Sequence, residues 1–346
     1  MTTTSDIRTT AKIKVIGIGG AGCDMITRMI QNRISGAEFI AIDTDKTTLP
    51  LTGAKRQILL YKPDTQGIRT ESDISLGSKA ARASSYEIEA AITGADIVFL
   101  ITGLGGGTGT GASPYIAEMA RRSKALTIAI VTRPFGFEGR YRTRIAAEGL
   151  DEIMKKADAV VTIDDERLLE LHPEMKINEA FKTINETING YVSSITDLLT
   201  SPGLINLELA NIESVMRNAG PVWLSSGKGT GNNRAMEAAN KLISDQRSGI
   251  NIKDARKILL SFTGGNDLAL KEVERAVEII RKAVDPAADI AFGVIIKQQM
   301  SDEISLTLIA SEFAGLNDSE QILKRLASSG SRQEKPSESA KTYCLV

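Results

Sequence analysis

Two cysteines and one histidine are all that this 346-residue chain carries, and each scarcity excludes a class of chemistry. Cys23 and Cys344 stand near opposite ends, which is no disulfide framework and points to a reducing, cytoplasmic setting. His172 lies in a polar turn before Pro173 with no catalytic partner in view, so imidazole-based acid–base chemistry is not expected, and no metal-ligating residues are predicted. Charge of one sign is also missing. Lys+Arg 42 against Asp+Glu 43 leaves a net charge of -1, so no basic field argues for nucleic acid or for direct membrane binding. No apolar run approaches the roughly 20 residues of a membrane span, and the opening residues 1–10 read as a flexible polar leader without a signal-like apolar core.

Glycine, by contrast, is clustered. The apolar run Ile97-Val98-Phe99-Leu100-Ile101 leads into Gly105-Gly106-Gly107-Thr108-Gly109-Thr110-Gly111, and a helical pattern follows from Ala112. Glycines let backbone N–H groups converge on one concavity, threonines add hydroxyls, and a helix N-terminus adds partial positive charge. That combination is a cradle for a polyphosphate. A similar strand, glycine turn and helix occur earlier, where Ile13-Lys14-Val15-Ile16-Gly17-Ile18 runs into Gly19-Gly20-Ala21-Gly22 and then Met25, Ile26, Met29 and Ile30.

Alternation continues along the first half: strand 39–42, polar loop 61–77, helix 78–92, strand 97–102, helix 112–122, strand 126–131, helix 143–157 and strand 159–163. This order predicts an α/β fold with a doubly wound parallel sheet, ligand loops at the carboxyl ends of its strands, and a first domain over 11–174. Apolar residues Ile177, Phe181, Ile184, Ile188, Val192, Ile195 and Leu199 recur every three to four positions, predicting one long central helix within 175–200. Strands near 221–226, 256–262, 290–297 and 303–310 with helices 233–243 and 270–284 predict a smaller mixed α/β domain over 201–314. The Ser-, Glu- and Lys-rich stretch 315–346 is expected to be a disordered tail, with Cys344 out of register for prenylation.

Gly17 to Gly22 satisfies G-x-G-x-x-G, and Asp43 lies about 20 residues on, so this loop alone fits a nicotinamide-dependent oxidoreductase. That reading leaves 105–111 without a role. Two phosphate cradles suit a nucleoside triphosphate better, and the absence of G-x-x-x-x-G-K-[ST] excludes a P-loop NTPase.

Several stretches in order resemble the tubulin/FtsZ superfamily, specifically its FtsZ branch, across roughly residues 11 to 312: Gly105 to Gly111, Val131-Thr132-Arg133-Pro134-Phe135-Gly136-Phe137-Glu138-Gly139-Arg140, Arg167-Leu168-Leu169, and Pro202-Gly203-Leu204-Ile205-Asn206. The resemblance implies a GTP-binding domain, a long central helix and a C-terminal activation domain. It implies a cofactor, GTP or GDP with Mg²⁺, held by Gly19, Gly20, Ala21, Gly22, Cys23 and Asp24 in the first loop and by Gly105, Gly106, Gly107, Thr108, Gly109, Thr110 and Gly111 in the second. Glu138 would meet the ribose, Arg142 the phosphate side, and Phe181 and Asn185 the base. Each has a plainer alternative: Glu138 as a solvated loop acid, Arg142 as a surface charge, Phe181 as core at helical spacing.

Departures from the family pattern bear on function. Cys23-Asp24 replaces paired asparagines, Arg69-Thr70-Glu71-Ser72-Asp73 brings carboxylates into a loop usually rich in Gly, Ala and Asn, and Asn185 replaces an aspartate that reads guanine. The family's synergy loop, which enters the neighbouring subunit's pocket, aligns with Asn206-Leu207-Glu208-Leu209-Ala210-Asn211. Catalytic candidates are therefore Glu208, Asn211 and Asn206, with Glu208 replacing one aspartate and Asn211, a neutral amide, replacing the other. The resemblance implies head-to-tail homopolymers, GTP hydrolysis completed by the neighbour, and a cytoplasmic role in septum formation at the division site. A nucleotide-gated filament that hydrolyses little stands as the alternative. Division-protein partners would dock through the tail and membranes would be reached only indirectly, although the usual apolar and basic docking peptide is missing from 315–346.

Overall fold

The computed structural model describes residues 11–60, 73–201, 203–245, 248 and 250–313. The expectations for the leader, for 61–72 with Glu71, and for the tail with Cys344 lie outside the described residues.

The first half runs β1 (Ile13–Ile18), α1 (Gly19–Gln31), β2 (Ala37–Asp43), β3 (Arg56–Leu59), α2 (Ile74–Ala83), α3 (Ser85–Ile92), β4 (Ile97–Gly103), α4 (Gly107–Arg122), β5 (Leu126–Arg133), α5 (Arg140–Lys156), β6 (Ala159–Asp164) and α6 (Asp165–Leu171). Then come α7 (Ile177–Thr200), β7 (Gly203–Ile205), α8 (Leu209–Met216), β8 (Gly220–Pro221), β9 (Trp223–Thr230), α9 (Arg234–Ile243), β10 (Ala255–Gly264), α10 (Leu270–Ala283), β11 (Asp289–Ile296) and β12 (Glu303–Phe313). Seven parallel strands form the first sheet in the order β3-β2-β1-β4-β5-β6-β8. Five form the second, β7-β11-β10-β12-β9, where only β10 and β11 pair in parallel.

Helices cover both faces of the first sheet, so its central strands β4, β5 and β6 are buried almost throughout and carry long apolar runs rather than an alternating pattern. On β4, Val98 and Leu100 join the layer with Ile116, Ala117, Ala146 and Leu150, while Phe99 and Ile101 join Met25, Ile26, Ile184 and Ile188. The second layer also contains Leu224, Leu259, Ile295 and Ile309 of the smaller sheet, so α7 is the shared core element of both halves. Lys297 Nζ donates to Asp197 Oδ2 at 2.6 Å and Thr307 Oγ1 to Ser194 Oγ at 2.9 Å, fixing the smaller sheet against the same helix.

Three local differences from the sequence reading matter. The second glycine loop is shorter than its composition suggests, because Gly107-Thr108-Gly109-Thr110-Gly111 is already the first turn and a half of α4. The reading placed 73–77 in a loop and a single helix at 78–92; instead Asp73 caps α2, its Oδ1 accepting from the Ser75 and Leu76 N–H groups, and the helix breaks at Ser84. Finally, β3, α6, β7, α8 and β8 are short elements absent from the sequence reading, and β8 belongs to the first sheet although it lies beyond α7.

Candidate functional site

At the carboxyl edge of the first sheet a cleft of about 690 Å³ runs from the end of β2 to the end of β6. Its floor is the junction of the two glycine segments. Gly19 sits at φ 71°, turning the chain from β1 straight into α1, and a Cβ there would lie 2.9 Å from the Gly109 nitrogen. The N-terminal turns of α1 and α4 therefore abut. Neither helix has a side-chain N-cap, so their first N–H groups lack side-chain partners and converge on the cleft. A Cβ on Gly20 or Gly106 would meet nothing within 4 Å, so the space above both is open on the ligand side. Uncapped amides, helix dipoles and open space are what an anionic phosphate chain requires.

Around this floor the walls are built by polar turns. Asp43 is buried: its Oδ1 accepts from Thr44 N–H at 2.7 Å and its Oδ2 from Thr48 Oγ1 at 3.0 Å. Burial pushes this carboxyl above its usual range, against those hydrogen bonds. Thr44 Oγ1 and Thr108 Oγ1 lie 2.7 Å apart, joining the β2 turn to the start of α4. Glu138 accepts from Phe135 N–H through Oε1 at 3.0 Å and pairs with Arg142 through Oε2 at 3.1 Å. Phe181, at the lip, meets Phe135 edge to face with centroids 5.9 Å apart, and Phe135 stacks on Phe137 at 5.0 Å.

Gly19, Gly20, Ala21, Gly106, Gly107, Thr108, Gly109, Glu138, Arg142 and Phe181, all sequence candidates, line this one cleft. The remaining candidates do not, for identifiable reasons. Gly22 packs α1 on the sheet, since a Cβ there would come within 2.3 Å of the Ile101 carbonyl oxygen. Cys23 is buried beneath α1, its thiol pushed up to about 12 by desolvation and then by Asp43, and Asp24 points outward to pair with Arg28. Gly105 turns at φ 104° and donates its N–H to Thr110 Oγ1, so both shape the loop from behind. Gly111 permits close approach of α2, its Cβ position being 2.1 Å from the Ile74 carbonyl oxygen, and Asn185 is buried one turn along α7 from Phe181.

The sequence reading missed Thr44, Asp45, Thr48, Thr132, Pro134 and Asp165 as wall residues. Asp165 is 5% exposed, and its Oδ1 has no hydrogen-bond partner among the described residues. Desolvation first, then the charges of Asp164 and Glu138, hold it well above the usual carboxylate range, while Arg133 opposes them.

The catalytic candidates stand elsewhere. Phe181 is near the start of α7, and at ~1.5 Å rise per residue the helix from there to Thr200 carries the chain about 28 Å away from the cleft lip. There Gly203 N–H donates to Asn206 Oδ1 at 2.9 Å and Glu208 N–H to Asn211 Oδ1 at 2.8 Å. Both asparagines thus shape the loop with their carbonyl oxygens, and Glu208 is the exposed carboxylate it presents.

Residues 12–173 match the model of the tubulin/FtsZ family GTPase domain, and residues 220–314 that of the FtsZ family C-terminal domain. An FtsZ dimer from M. jannaschii superposes with a TM-score of 0.82 at 37% identity, over 88% of this chain and 89% of that one. CetZ2 from Haloferax volcanii, solved as a GTPγS-bound protofilament, shares the fold with a TM-score of 0.76 at 20% identity, over 92% and 98% of the two chains. CetZ1 from the same organism, a GDP-bound monomer, does so at 0.77 and 18%, over 92% and 99%. The nicotinamide reading of residues 17–22 is set aside by these matches, and the glycine pattern behind it divides between cleft floor and strand–helix packing. The chain belongs to the FtsZ branch of the tubulin/FtsZ family.

Proposed function

We propose that the cleft binds GTP and GDP and that the protein assembles head to tail into cytoplasmic filaments, in the manner of a division-site protein forming a septal ring. The observation that carries this is the convergence of two uncapped helix N-termini on an open cleft in a chain of this family. Amides of Gly20, Ala21, Gly107, Thr108 and Gly109 would hold phosphates, and Glu138, Phe181 and the β5–β6 end would take the nucleoside. Among the described residues no three His, Cys, Asp or Glu side chains form a metal cluster, so a bound Mg²⁺ would draw most of its ligands from phosphates and water. Such an ion would supply charge neutralisation during phosphoryl transfer.

Glu208 stands at the far end of α7 from its own cleft, which suits action on the next subunit's nucleotide. Exposed apolar side chains flank both ends, Leu204 and Ile205 beside the loop and Phe137 and Ile177 near the cleft mouth, as a head-to-tail assembly that joins two different surfaces needs. In this arrangement Glu208 is the general base that orients and deprotonates the attacking water. Because Asn211 is neutral and already engaged by the Glu208 N–H, the same loop also favours a second reading, a filament whose hydrolysis is slow.

Competition titrations with GTP, GDP, ATP and NAD, run alongside sedimentation with each nucleotide, test the proposal. Guanine nucleotides should win and GTP should drive the protein into the pellet. Tighter binding of NAD or ATP would overturn it.

A further inference from the structure

Asp165 stands out among the cleft acids. Asp43 has both carboxylate oxygens engaged by its own turn, whereas Asp165 offers an Oδ1 that no described residue meets, in a wall that is otherwise satisfied. Its position fixes which part of a ligand it faces. Phosphates belong to the β1 and β4 loops, and Asp165 follows β6, two strands beyond β4, so it borders the nucleoside end together with Thr132, Pro134 and Phe181.

The charges around it are also assigned. Arg133 of β5 is bonded to Asp164 at 2.8 Å, Glu138 of the 136–138 turn pairs with Arg142 of α5, and Glu166 of α6 accepts from Gly136 N–H at 2.7 Å. Arg167 flanks it on α6, and the side chain that α7 brings to the cleft, Phe181, does not titrate. Arg133 is the cation that acts on Asp165, and it is already bonded to Asp164, so it compensates a bare carboxylate at Asp165 only in part.

We propose that Asp165 makes ligand binding in this cleft a proton exchange: a nucleobase N–H donor seats on Oδ1, stabilises the carboxylate, and the carboxyl proton leaves to solvent. The proposal rests on the nucleotide reading of the cleft and adds its regulation by pH. Guanine suits the role because it presents a ring N–H beside an exocyclic amino group, two donors for one carboxylate. The sign follows from the empty cleft, where burial and neighbouring acids hold the proton on Asp165. Binding that releases a proton strengthens as pH rises, by up to about tenfold per unit, between the pKa of the occupied and of the empty cleft.

GDP is the probe, since it binds without turnover. Its affinity for the full-length protein is measured across a range of about three pH units upward from the ordinary carboxylate range for wild type and Asp165→Asn, and binding heats are compared in buffers of different ionisation enthalpy. Titration of the GDP phosphates is common to both proteins, so the difference between them isolates Asp165. Wild-type affinity should rise with pH relative to the variant, and its binding heat should depend on buffer in the sense of proton release. Parallel pH profiles, or heats with the same buffer dependence in wild type and variant, overturn the proposal, and Asp165→Ser serves as the comparison if Asp165→Asn does not fold. Absence of GDP binding at every pH would instead sink the nucleotide reading itself.

Discussion

Gly20 and Gly22 sit two positions apart in one helix turn and answer to different forces. Above Gly20 there is open space, while a Cβ at Gly22 would be driven into the Ile101 carbonyl. Gly20→Val is therefore expected to keep the melting temperature and lower guanine-nucleotide affinity by at least about 100-fold, because a branched side chain fills the phosphate floor. Gly22→Val is expected to lose stability first, by several kcal/mol of overpacking (roughly 1–3 or more). Thermal melts and nucleotide titrations on the two proteins check this, and a fall in melting temperature at Gly20 would contradict the division of roles. In G-x-G-x-x-G Gly22 takes a glycine position and Gly20 an unspecified one, so the pattern says that backbone must come close at Gly22 without showing to what, and says nothing of the open space above Gly20. Asp165 was illegible for a related reason: one more acid in Ile163-Asp164-Asp165-Glu166-Arg167 carries no mark of being the one whose oxygen is left unengaged.

At the scale of elements, long periodic segments were readable and short ones were not. The period of α7 is set by burial along its length, with Ile184, Ile188, Val192 and Ile195 all in the core, so its extent is visible as a stripe. Strands β3 and β8 have four residues and two, too few for any period to declare itself, and α8 is held at its start by a contact three residues long. That contact gives a test. Asn211→Ala removes the acceptor for the Glu208 N–H and should destabilise by about 0.5–2 kcal/mol. Asn211→Asp keeps an acceptor and places negative charge at the start of α8, so its stability should equal or exceed wild type. Chemical denaturation of the two variants decides between them, and equal losses would show that the cap does not hold the loop.

Across the whole molecule, the cleft and the loop 206–211 sit toward opposite ends of α7, one at the carboxyl edge of the first sheet and one beyond the end where Thr196 and Thr200 pack on Gly36 before β2. On the proposed head-to-tail arrangement a single chain would hold half of two sites and the whole of none. Phe137 and Ile177 at one end, with Leu204 and Ile205 at the other, are exposed apolar side chains that a second copy would cover in the proposed filament. The central claim is that hydrolysis belongs to the junction between copies, with the cleft from one and Glu208 from the next. The most direct measurement mixes two disabled proteins, Gly20→Val, which lacks the phosphate floor but keeps Glu208, and Glu208→Ala, which keeps the floor but lacks the carboxylate. Phosphate release from GTP is followed for each alone and for an equal mixture at the same total concentration. The account predicts near silence from either variant and recovery in the mixture, up to about a quarter of the wild-type rate for random head-to-tail pairing. A mixture no faster than the mean of its two components would contradict it.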